Sequence, residues 1–164
     1  MARPTKSRGV VIAGNWKMNY GPNETENFFR DMKSRMDTLL NGQALKLLAS
    51  GKLRACVIPP AIDLLAAQKA ASQSAFPVAV AAQNAHWEKK GAFTGEISGP
   101  MLRELGLDWV LIGHSERRQY FGETDETVWK RTAAGLRAGF TVVTCVGETL
   151  AEREAGQTEA VLSK

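Results

Sequence analysis

Trp109-Val110-Leu111-Ile112-Gly113-His114-Ser115-Glu116-Arg117-Arg118 is the stretch that decides the fold. Four apolar residues read as a short buried strand, Gly113 ends it, and His114 stands where a charged helix begins. In parallel α/β folds the carboxyl ends of strands open into the loops that form the pocket, so reacting groups collect there. Working outward, Val10-Val11-Ile12-Ala13-Gly14 is a second apolar strand that delivers Asn15-Trp16-Lys17-Met18-Asn19 just past its end. Two strands, each with polar groups at the same kind of position, point to one shared site.

Strand and helix patterns alternate along the whole chain. After the first strand, Asn23 and Glu26 have the spacing of a capping box, and Phe28, Phe29, Met32, Met36 and Leu39 recur at helical spacing. Arg54–Ile58 reads as a strand stopped by Pro59-Pro60, Ile62–Ala71 as a helix and Val78–Ala82 as a strand. Gln83–Glu96 reads as a long irregular segment. Ser98 and Pro100 open a helix through Leu105, ended by Gly106. Thr124 starts a helix that reaches Gly139, Thr141–Val146 is a strand, and Thr149 with Glu152 opens a last helix. Strands that are short, apolar and separated by helical crossovers predict a parallel α/β sheet, either doubly wound or closed into a barrel.

Composition narrows the classes. The 164 residues are 44% hydrophobic and 23% charged, ordinary for a globular protein and against disorder. The net charge of +4 comes from scattered lysines and arginines without an aromatic-interleaved basic pattern, so no nucleic-acid partner is expected. Cys56 and Cys145 form no CxxC pair, and His86 and His114 lie far apart, so neither a disulfide framework nor a metal site is expected. Met1–Arg8 is basic but precedes no long apolar run, so neither a signal peptide nor a membrane association is expected, and the cytoplasm is the simplest compartment.

Several side chains could carry chemistry. In an extended segment alternate residues share a side, so Asn15 and Lys17 are expected together, with Trp16 turned into packing. An amide and an ammonium on one side make a cradle for phosphate or a developing oxyanion. Read alone, the same residues also fit a solvated strand end with a structural turn. His114 at a strand-to-helix transition favours a neutral imidazole able to donate to a carbonyl oxygen, or a histidine that merely caps a turn. Glu116, beside Arg117 and Arg118, reads on its own as a plain helix-start carboxylate with surface arginines. Cys145 reads as core packing rather than a nucleophile, since no positioned base is evident. No glycine-rich nucleotide loop of the GxGxxG or Walker type is present.

Taken together, Gly14-Asn15-Trp16-Lys17-Met18-Asn19, Ala82-Gln83-Asn84, Phe93-Thr94-Gly95-Glu96, Ile112 to Arg118 and Cys145-Val146-Gly147-Glu148 closely resemble the triosephosphate isomerase family, in its order and approximate spacing. The resemblance implies interconversion of dihydroxyacetone phosphate and glyceraldehyde 3-phosphate through an enediolate, in glycolysis and gluconeogenesis, without cofactor or metal. It implies His114 as the neutral electrophile, Lys17 stabilising negative charge, Asn15 binding substrate and Glu116 as the supporting acid beside Lys17. It also implies a homodimer in which the loop Gln83 to Glu96 reaches into a neighbouring subunit, placing Thr94, Trp87 and Phe93 at the interface.

The fold implied is the amino-terminal five or so β/α units of a (β/α)8 barrel, incomplete in this chain, as a single domain over 1–164. A full barrel takes about 250 residues. The family's glutamate base, its lid and its late phosphate loops fall past Lys164, so the 164 residues alone are expected to be inactive. The alternative is a non-catalytic fragment that assembles with a separate carboxyl-terminal piece.

Overall fold

Strand β1 (Val10–Asn15) pairs in parallel with β2 (Leu53–Ile58), in register from Val10 opposite Leu53 to Asn15 opposite Ile58. Strand β2 pairs in parallel with β3 (Val78–Ala82), from Ala55 opposite Val78 to Val57 opposite Val80. These come from a computed structural model that describes residues 9–39, 41–74 and 76–163. Residues 1–8 and Lys164, named above, lie outside the described residues. The chain divides into two compact units: residues up to Gln83 with Leu102–Trp109, and Asn84–Met101 with Val110 onward.

In the first unit the crossovers that parallel pairing demands are helical. Helix α1 (Pro22–Leu39) links β1 toward β2, and its start corrects the expected cap. Pro22 occupies the first helical position, where a missing N–H costs nothing. Glu24 Oε2 accepts from Gly21 N–H at 3.1 Å, so the reciprocal carboxylate is Glu24 and not Glu26, and Asn23 lies inside the helix. Helix α2 (Gly42–Ala49) was not anticipated; Asn41 caps it by accepting from Ala44 N–H at 2.9 Å. After Pro59-Pro60, a 3₁₀ turn (Ala61–Asp63) leads into α3 (Leu64–Ser72), so the helix expected over Ile62–Ala71 is split in two.

Helix α4 (Gly99–Glu104) is followed by Gly106, whose φ of 79° only glycine adopts readily. Its N–H donates to Arg103 O at 2.9 Å and Leu107 N–H to Leu102 O at 3.1 Å, the Schellman closure. Leu102 and Leu107 are both fully buried, which supplies the accompanying hydrophobic contact. Leu64 and Ala67 of α3 and Cys56, Val57 and Ile58 of β2 complete the core of this unit.

The second unit holds most of β4 (Trp109–Ile112), all four of whose residues are buried, with β5 (Thr141–Thr144) beside it. Strand β5 stops short of the expected Val146, although Cys145 N–H still donates to Ile112 O at 2.8 Å. Helix α5 (Ser115–Phe121) follows His114. Helix α6 (Asp125–Arg137) is capped by Thr124 as expected, with Thr127 in the reciprocal role usually filled by Glu. Thr149 and Glu152 form the predicted capping box of α7 (Leu150–Glu154), and α8 (Thr158–Leu162) closes the described chain. Among the described residues no helix is long and apolar enough to cross a membrane.

Candidate active-site strand ends

At the end of β1, Lys17 has a φ of 55°, a left-handed conformation that costs a side-chain-bearing residue roughly 1–2 kcal/mol. Asn15 and Gln83 hold it there. Its N–H donates to Asn15 Oδ1 at 2.9 Å, and its carbonyl accepts from Gln83 Nε2 at 2.7 Å. The same Gln83 amide nitrogen lies 3.1 Å from Ile58 O and 3.3 Å from Asn15 Oδ1, so it ties β1, β2 and the lysine turn together. The extended alternation therefore ends at Asn15, and the argument that Asn15 and Lys17 share a side by strand period does not hold. Trp16 packs as anticipated, edge-on to Tyr20 and Phe28 with ring centroids 5.1 and 4.8 Å away.

In the second unit Gly113 turns the chain with a φ of 74°, and a Cβ placed on it would lie 2.7 Å from Val128 Cγ1. Arg118 fixes this turn: Nε donates to Gly113 O at 2.9 Å, Nη1 pairs with Asp125 at 2.6 Å, and Nη2 reaches Cys145 O at 3.4 Å. His114 is the N-cap of α5, its Nδ1 accepting from Glu116 N–H at 3.3 Å. A backbone N–H is always a donor, so Nδ1 carries no proton and the ring proton sits on Nε2. Glu116 Oε2 approaches Nδ1 to 3.4 Å, two acceptors side by side while Nδ1 takes the Glu116 N–H. His114 thus both caps the turn and presents Nε2–H as a donor.

The second unit also holds a charge-balanced cluster. Glu123, nearly buried, accepts from Arg117 Nε at 2.6 Å and Asn84 Nδ2 at 2.9 Å, and lies 3.5 Å from Arg131 Nε. Arg131 also donates to Ala85 O at 2.9 Å and to Glu96 at 3.1 Å. Burial alone would push the Glu96 carboxyl up, but the Arg131 hydrogen bond and the charges of Arg131, His86 and Arg117 outweigh it and hold it below the usual range. The irregular segment Gln83–Glu96 is anchored here. His86 N–H donates to Ile97 O at 2.8 Å, and Trp87 and Phe93 flank the His86 ring at 4.3 Å each. Phe93 and Thr94 are exposed and Trp87 is half-buried.

Cys56 is buried, which pushes its thiol up to about 11. Cys145 is only partly buried; burial raises its thiol and the Arg118 charge pulls it partly back. Neither is an activated nucleophile. Among the described residues no group of three or more His, Cys, Asp or Glu side chains is placed to hold a metal. Gln83 and Arg118 are the positioning residues that sequence reading passed over. Neither carries a local signal for this role: Gln83 opens an irregular segment, and Arg118 lies among the charges that begin a helix.

Residues 10–164 match the family model described as triosephosphate isomerase. The chain belongs to the triosephosphate isomerase family. It is 50% identical over 152 residues to the triosephosphate isomerase of Acetivibrio thermocellus, covering 93% of this chain and 55% of that protein. Against the triosephosphate isomerase of Solibacter usitatus the identity is 49% over 156 residues, covering 95% and 57%; against that of Moorella thermoacetica it is 50% over 157 residues, covering 96% and 57%. The chain therefore spans a little over half the length of these curated relatives. The alternation of parallel strands and helices is the amino-terminal portion of the triosephosphate isomerase (β/α)8 barrel. Asn15, Lys17, Gln83, His114 and Glu116 all lie within the matched residues.

Proposed function

We propose that these residues form the electrophilic half of a triose-phosphate isomerase site, acting on dihydroxyacetone phosphate and glyceraldehyde 3-phosphate in glycolysis and gluconeogenesis, within one partial-barrel domain over 1–164. The observation that carries this reading is the His114 tautomer: with Nδ1 accepting from Glu116 N–H, the ring offers Nε2–H outward. Such a donor polarises a substrate carbonyl. As a carboxylate base removes the proton from the adjacent carbon, Nε2–H supplies the proton that the new enediolate oxygen takes up. The reverse transfers at the neighbouring carbon complete the isomerisation. Lys17 offsets the negative charge, Asn15 binds substrate, and Glu116 supports Lys17. No cofactor is required, and a soluble cytoplasmic setting fits.

The base belongs to the family's later segment, so residues 1–164 by themselves are proposed to turn over no substrate. The exposed Phe93 and Thr94, with Trp87, support a homodimer contact through the loop 83–96. A coupled isomerase assay on the complete open reading frame tests the site. Lys17→Ala and His114→Gln each lose activity while circular dichroism is unchanged; full activity in both contradicts the assigned roles. A second reading, assembly with a separate carboxyl-terminal piece, is favoured by β1, where Val10, Val11 and Ile12 are 58%, 47% and 63% exposed. It predicts turnover only on mixing the two pieces, and is refuted if purified halves form no complex.

A further inference from the structure

Trp129, Ala133 and Arg137 stand four residues apart on α6 and so form one row along that helix. The row faces Trp87, Lys89 and Lys90 across a cavity of about 490 Å³ that the isomerase reading does not use. Glu88 is the one carboxylate lining it, against Lys89, Lys90, Lys130 and Arg137. Lys130 is already paired with Glu126 at 2.6 Å, whereas Lys89, Lys90 and Arg137 have no ion-pair partner among the described residues. Unpaired cations around a concave surface concentrate anions there.

The two indoles have different duties. Trp87 is a wall, with the His86 ring stacked at 4.3 Å and the Arg131 guanidinium 5.0 Å from its centroid. Trp129 is 67% exposed, an unusual cost for a large aromatic, and has a face open for stacking. Between Trp129 and Arg137 the methyl of Ala133 leaves the floor hollow. Eight residues of helix make that row about 12 Å long, the reach from base to terminal phosphates of a nucleotide. We propose that this cavity binds a nucleoside di- or triphosphate, the base stacked on Trp129 and the phosphates held among Lys89, Lys90 and Arg137. The cavity shares no residue with the isomerase site proposed above, but Trp87, Lys89 and Lys90 belong to the loop 83–96, so the cavity borders the proposed subunit contact.

The test is calorimetric titration of the full chain with ATP, alongside adenosine, inorganic triphosphate and a short oligothymidylate. ATP is expected to saturate one site, with adenosine and triphosphate each at least about tenfold weaker. Loss of the stacking partner in Trp129→Ala weakens ATP by about tenfold or more. Lys89→Ala and Arg137→Ala weaken it and flatten its salt dependence. These three residues are exposed, and Trp129 and Arg137 lie outside the loop 83–96, so those two variants leave the proposed subunit contact intact, while Lys89→Ala is read together with its oligomeric state. The proposal is overturned if ATP gives no saturable binding at millimolar concentration or binds Trp129→Ala as tightly as the parent. It is also overturned if triphosphate alone matches ATP, or if the oligonucleotide binds more tightly, which would make the cavity part of a nucleic-acid groove.

Discussion

Replacing Gly113 with alanine strikes the turn that presents His114, and its cost follows from two separate effects. A φ of 74° places the new residue in left-handed backbone, worth roughly 1–2 kcal/mol against any residue with a Cβ. The added methyl also lies 2.7 and 2.9 Å from Val128 Cγ1 and Cγ2, inside contact distance of a buried side chain held by α6. Overpacking of that kind costs about 1–3 kcal/mol, so Gly113→Ala is expected to destabilise by about 2–5 kcal/mol in all. Val128→Ala separates the two effects. It is destabilising alone, because it empties a packed position, but in the Gly113→Ala background it makes room for the methyl. Urea unfolding of the parent, both single variants and the double variant should therefore give a favourable coupling of about 1–3 kcal/mol, with the backbone cost remaining. Additivity of the two substitutions within about 0.5 kcal/mol would refute the steric argument.

Gln83→Ala removes the amide that holds the Lys17 carbonyl; stability should fall by about 1–2 kcal/mol, measured by urea midpoint, and in the complete enzyme kcat should fall while Gln83→Glu, which keeps only acceptors at pH 7, fails to rescue it. Because Glu96 is held below the usual carboxylate range, its contribution to stability is present at neutral pH and is lost as pH falls through that depressed value; Glu96→Gln should flatten the acid limb of a stability-versus-pH curve. Cys56, raised to about 11, favours folding fully below its ordinary value of 9.0 and progressively less as pH climbs through 9 to 11, a limb that Cys56→Ala should remove. Iodoacetamide at pH 8, followed by mass spectrometry, should label Cys145 well before Cys56, since only Cys145 is partly exposed.

The strands were legible because their signal is local. Short β-branched or apolar runs bounded by Pro59-Pro60, Gly113 or Gly139 admit few other readings, and β3 and β4 fall where the pattern places them. Helix ends were less so. Asn23 and Glu26 have acceptable capping spacing, yet Pro22 at the first helical position draws the start earlier and makes Glu24, not Glu26, the carboxylate that accepts from Gly21 N–H. Helix α2 was missed although Asn41-Gly42 interrupts the pattern, because it is only eight residues long and its cap Asn41 reads equally as a turn residue. In the candidate site, His114 was legible from its place after a strand. The Lys17 turn was not, because a left-handed lysine has no sequence signature and depends on Gln83, distant in sequence. Arg118 was hidden for the same reason: its role is set by the Gly113 carbonyl it finds, not by its neighbours in sequence.

The central proposal is that Lys17 and His114 act on one substrate oxygen. A crystal structure of the complete protein with a phosphorylated enediolate analogue tests it most directly. The account predicts the Lys17 ammonium and His114 Nε2 both within hydrogen-bonding distance of the oxygen that stands for the substrate carbonyl, with His114 Nδ1 still accepting from Glu116 N–H. An analogue bound with either side chain directed elsewhere, or with a proton on His114 Nδ1, contradicts it.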